Sequence, residues 1–70
     1  MPKLYSSRHV ITVLVAKGFV FISQRGSHAQ YRAGTHTVIV PMNKTEIPYG
    51  AFRSIRRQSV LPAEDFETHV

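Results

Sequence analysis

The chain contains no cysteine and no tryptophan. Without cysteine there is neither a disulfide nor a thiolate metal site to hold a small fold together, so stability must come from packing or from a partner. That absence also suits a reducing compartment. Acidic residues are scarce. Four Asp and Glu against nine Lys and Arg leave a formal charge of +5, and the isoelectric point is near 10.3. None occurs before Glu46, while Glu64, Asp65 and Glu67 crowd together near the other end. Such a distribution does not supply the converging carboxylates of a metal nuclease. No apolar run approaches the ~20 residues of a membrane span, and "MPKLYSSRHV" lacks the apolar core of a signal peptide. A cytoplasmic location is the expectation.

What is present describes one small domain covering residues 1–70, with no repeat, linker or low-complexity tract. Its basic balance points to a partner rich in phosphates or carboxylates. "SSRHVITVLVAKG" predicts a helix: Ser6 or Ser7 can cap it, Val10, Ile11 and Leu14 fall at helical spacing, and Lys17-Gly18 ends it. "FVFISQ" (19–24), "SHAQYR" (27–32) and "THTVIVP" (35–41) predict three strands, with turns at Arg25-Gly26 and Ala33-Gly34. "YGAFRSIRRQS" (49–59) predicts a second helix with Phe52 and Ile55 inward. "LPAEDFETHV" begins a further helical turn, with Pro62 suited to its first position and Glu64 and Asp65 near its positive end.

Short turns make the strands an antiparallel meander, and helices can cover one of its faces. The expected class is therefore α+β, in α-β-β-β-α order, the layout of double-stranded-RNA-binding domains. Period two sends Ala29 and Tyr31 to the core and leaves His28, Gln30 and Arg32 on the open face. Phe19, Phe21, Tyr31, Phe52 and Phe66 read mostly as core, whereas Tyr5 and Tyr49 read as the better exposed aromatics.

The stretches "KGFVF", "QRGSHAQYR", "VIVP", "EIPYGAFRSIRRQ" and "LPAEDF" resemble the HicA toxins, small mRNA interferases of bacterial and archaeal toxin–antitoxin pairs. The resemblance covers nearly the whole chain. Its most specific part pairs "GSH" on the second strand with "GAFRSI" on the second helix. It implies a dsRBD-like fold, RNA cleavage through His28, and a HicB-like antitoxin that covers the toxin and usually carries its own DNA-binding segment; no cofactor is expected. Sequence-specific DNA binding by the toxin alone is not expected. Asn43 stands where many relatives have a histidine, Val60 where the second helix usually ends in glycine, and "GAF" where "GTL" or "GTF" is common.

The residues themselves allow that chemistry. RNA carries its own nucleophile, the 2′-hydroxyl, so cleavage needs proton transfer and neutralisation of phosphate charge rather than a metal. An imidazole with an ordinary pKa near 6.5 moves protons at neutral pH. Gly26 lets a phosphate backbone approach, Ser27 offers a hydrogen bond, and Arg25 or Arg32 can offset the charge. The plainer alternative for His28 is a solvated strand residue. Ser27 and His28 do not form a hydrolase pair, since neighbours on a strand face opposite ways. His9, His36 and His69 show no ligand spacing and read as incidental. Arg53, Arg56 and Arg57, at i, i+3 and i+4, form a basic helix face that Lys44 can extend. It meets phosphates, acidic side chains of a partner, or solvent alone. Two further readings remain: a non-catalytic RNA-binding module and a subunit that only docks an acidic protein.

Overall fold

The computed structural model describes residues 3–68, so His69 lies outside the described residues. Helix α1 (Ser7–Ala16) begins at Ser6, whose Oγ accepts the His9 backbone N–H at 3.0 Å. It buries Val10, Val13 and Leu14 and ends at Lys17. Strands β1 (Val20–Arg25), β2 (His28–Ala33) and β3 (His36–Pro41) form one antiparallel sheet in the order β1-β2-β3. Helices α2 (Tyr49–Ser59) and α3 (Ala63–Thr68) follow. The α+β meander expected from the residues is present, and the further helical turn expected after the second helix is α3. Pro62 immediately precedes α3, and its carbonyl accepts the Asp65 N–H at 3.1 Å.

Both hairpins close through two-residue turns, Gly26-Ser27 and Gly34-Thr35, one position later than the sequence pattern predicts. Gly26 and Gly34 both have φ +60°. A two-residue turn with positive φ at its first central residue matches the right-handed twist of the strands, and glycine adopts it without strain.

The register fixes the two faces. Ala29 pairs with Val40 and Tyr31 with Val38, and all four are buried. On the opposite face His28 and Arg32 are exposed and Gln30 is half-buried. The helices lean on the covered face and on β3 in particular. Gln58 of α2 accepts the Ile39 N–H at 3.1 Å, so the outer edge of β3 is partly satisfied by a helix side chain. Strand β1 is the open edge of the sheet, and every one of its residues is exposed.

That edge position corrects the expectation for Phe21, which is 54% exposed. It touches Tyr31 edge-on at 5.7 Å, but no helix reaches far enough across the sheet to cover it. Phe19, Tyr31, Phe52 and Phe66 are buried as expected. Tyr5 is the reverse case: expected exposed, it is buried, stacked on His9 at 4.8 Å and tilted against Phe52 at 5.2 Å. Phe52 in turn meets Phe66 edge-on at 5.1 Å. Such aromatic pairs add about 0.5–1.5 kcal/mol each beyond the burial of their area. His9 is not incidental either. Its Nε2 lies 2.5 Å from the Phe66 carbonyl oxygen, and Lys17 pairs with Asp65 at 3.7 Å, so two polar contacts tie α3 to α1. Tyr49 is 43% exposed, as expected. No described helix is long and apolar enough to cross a membrane.

Candidate active site

His28 is the first residue of β2 and follows the Gly26-Ser27 turn directly. Its cross-strand partners are Arg25 on β1 and Pro41 on β3. Paired residues share a face, so Arg25 stands beside His28 on the open side, with Cα atoms ~5.5 Å apart across a hydrogen-bonded pair. The imidazole and guanidinium are both exposed. The next row is Ser23–Gln30–Ile39 and the one after it is Val20–Arg32–Thr37. Rows on one face are about 7 Å apart along a strand, which puts Arg32 roughly 13 Å from His28. Arg32 donates from Nε to Thr37 Oγ1 at 3.3 Å. Of the two arginines, Arg25 shares the histidine's row, and Arg32 can meet only a more distant part of a bound strand.

The turn is held from two sides. Gln24 Nε2 donates to the Gly26 carbonyl at 2.9 Å. The Met42 N–H donates to the Ser27 carbonyl at 2.7 Å. Residues just beyond β3 are in turn bound to α1. The buried Ser7 hydroxyl donates to the Pro41 carbonyl at 2.5 Å and accepts the Lys44 N–H at 3.0 Å, while the Ser7 N–H donates to the Lys44 carbonyl at 2.9 Å. Ser7 therefore anchors Pro41, the residue opposite His28. Neither Ser7 nor Gln24 is signalled as a site residue by the sequence. Ser7 looks like a second choice of helix cap, and its partner Pro41 lies 34 positions away.

Lys44 stands apart from the open sheet face, in a cleft between the start of α1 and the loop after β3. Arg53, Arg56 and Arg57 come together around a second, smaller hollow with Leu61. At 100° per residue Arg56 lies about 160° around α2 from Gln58, the side chain that reaches β3 at Ile39. Arg53 and Arg57 are exposed, whereas the Arg56 Nε is buried and meets no hydrogen-bond partner among the described residues. The residues singled out by sequence thus fall into three places: Arg25, Gly26, Ser27, His28, Gln30 and Arg32 on and around the turn and open face; Lys44 at the cleft; and the arginines of α2. Among the described residues no three His, Cys, Asp or Glu side chains converge in a metal-holding group.

An exposed imidazole next to a guanidinium, on a rigid turn, can transfer a proton beside a bound phosphodiester while the cation offsets its charge. A family model described as HicA toxin of bacterial toxin-antitoxin matches residues 7–61, from the start of α1 past the end of α2. No curated protein matches the chain.

Proposed function

The chain belongs to the HicA toxin family of bacterial toxin–antitoxin systems, and on that premise we propose that it is a metal-independent endoribonuclease that cleaves mRNA and is neutralised by an antitoxin of the HicB kind. The observation that carries this reading is the exposed His28 paired across the strands with Arg25 at the turn. An RNA strand laid over the open face would place a ribose 2′-hydroxyl at the imidazole and the adjoining phosphate at the guanidinium. The hydroxyl loses its proton and its oxygen attacks phosphorus. The bond to the 5′ oxygen of the next nucleotide breaks, and that oxygen takes up a proton. One product ends in a 2′,3′-cyclic phosphate and the other begins with a 5′-hydroxyl. His28 is the group that can carry either proton transfer, a contribution of roughly 10²- to 10⁴-fold. Arg25 stabilises the extra charge on the phosphate. Gln30 and Arg32 extend the contact along the strand, and Lys44, Arg53, Arg56 and Arg57 supply electrostatic attraction that does not depend on sequence.

The test is incubation of wild type and His28→Ala with RNA and with DNA of the same sequence, in EDTA. RNA cut by wild type alone, with DNA intact, is the expected result. Binding of RNA by both proteins without cleavage would make the chain an RNA-binding module. Cleavage by His28→Ala at the wild-type rate would remove His28 from the chemistry.

A further inference from the structure

A cleft of about 700 Å³ lies between α1 and the loop after β3. Its lining has a distinct layout. The half-buried side chains of Ile11 and Met42 contribute apolar surface, while exposed Arg8, Asn43 and Lys44 contribute polar groups. Among the described residues no acidic side chain lines it. Two cations beside an apolar floor suit a ligand that is itself flat and apolar at one end and anionic at the other. A nucleotide has that make-up.

The cleft is also built to keep its shape. Its two walls are bonded at the base by the Ser7 contacts to Pro41 and Lys44. Asn43, at φ +62°, turns the loop so that Lys44 can meet Ser7. The same loop is tied to the Gly26-Ser27 turn through the Met42 N–H. Met42 is next in sequence to Pro41, which faces His28 across the ladder. The loop that lines the cleft thus begins one residue beyond the cross-strand partner of His28, which puts cleft and imidazole at the same end of the sheet.

Resting on the ribonuclease reading above, we propose that this cleft is a nucleotide subsite for the RNA strand being cut. The base lies against Ile11 and Met42, Arg8 and Lys44 hold a flanking phosphate, and Asn43 presents its amide to the edge of the base. Asn43 offers both donors and an acceptor, so it is the residue here that can distinguish one base from another.

The test uses isotope-labelled full-length His28→Ala and short single-stranded RNAs of one base type, 2′-O-methylated throughout so that they cannot be cut. Backbone amides of Arg8, Ile11, Met42 and Asn43 should shift on titration. Arg8→Ala should lower the slope of log affinity against log salt by about one with an unchanged circular dichroism spectrum, because its side chain is exposed. Asn43→Gly, which keeps the positive φ, should level the differences in affinity among the four RNAs. Shifts confined to the sheet face or to α2, or an Arg8→Ala protein with the wild-type salt slope, would overturn the subsite. A parallel cleavage assay with wild type separates the two readings. Cleavage without cleft shifts removes the subsite alone, and cleft shifts without cleavage remove the ribonuclease alone.

Discussion

His28 and Pro41 face each other across the β2–β3 ladder, and the Pro41 carbonyl is held by the buried hydroxyl of Ser7 at 2.5 Å. The exposed imidazole thus stands on a frame whose far corner is a serine in the first turn of α1. Ser7→Ala leaves the Pro41 carbonyl and the Lys44 N–H without that partner. Pro41 is half-buried and Lys44 exposed, so water can replace part of what is lost; the destabilisation should be about 1 kcal/mol, and urea unfolding should show it. Ser7→Thr, which keeps the hydroxyl, should recover part of the loss. RNA cleavage by Ser7→Ala, measured where the protein is fully folded, should also fall, since the opposite strand no longer fixes the turn.

His28→Ala should behave differently. The side chain is exposed, so stability should change by no more than about 0.5 kcal/mol. Cleavage should drop roughly 10²- to 10⁴-fold. A loss of activity accompanied by an equal loss of folded protein would assign the residue a structural role instead.

Helix α2 ends at Val60, which has φ 54° and ψ 26° and is 65% exposed. A β-branched residue is strained in the left-handed region, and glycine is the residue that normally ends a helix this way. The left-handed conformation costs a side-chain-bearing residue about 1–2 kcal/mol. Part of that gain is offset by the freer unfolded chain of a glycine variant. Val60→Gly should raise stability by about 1 kcal/mol, seen as a higher denaturation midpoint with unchanged cleavage.

Burial lifts the Tyr5 hydroxyl above its ordinary pKa of 10.0, and the nearby charge of Glu67 pushes the same way. The folded state therefore disfavours the phenolate relative to the unfolded chain. The stabilising contribution is complete below pH 10.0 and is lost as pH climbs through the higher folded-state value. Denaturation midpoints followed into alkaline solution should decline in that window. Tyr5→Phe should flatten the decline.

The arginines of α2 gather around a hollow with Leu61, whereas it is Arg25 that shares the row of His28, so their expected part is in how tightly RNA is held. Replacing Arg53 or Arg57 by Ala should lower the slope of log affinity against log salt by about one for each, with little effect on the rate at saturating RNA. A fall in the saturated rate instead would place that arginine at the reacting phosphate.

The sequence made much of this legible where the information is local. Alternation along β2 separates buried Ala29 and Tyr31 from exposed His28 and Arg32, and the α2 boundaries coincide with the predicted 49–59. What it hid is set by distant partners. Phe21 reads as core because it is aromatic and alternates correctly, yet whether a helix covers it depends on which strand lies at the edge. Tyr5 and His9 are read as loose ends because their partners, Phe52 and Phe66, lie more than forty residues on. Ser7 shows the same limit within the site. Its neighbours in sequence announce a helix cap, and only the folded chain brings Pro41 to its hydroxyl.

Strand β1 leaves its outer rim unpaired while exposing Val20, Phe21 and Ile22 side by side. An apolar strand rim of this sort is a ready template for edge-to-edge growth. The register break between Phe21 and Ser23 is one brake on that growth. The charge of Arg25 at the end of the strand is another, since charged side chains on an edge strand disfavour pairing with a second chain. Colloidal behaviour at high concentration will therefore depend on that kink and that charge, and engineering that straightens the strand or neutralises Arg25 will trade solubility for sheet growth.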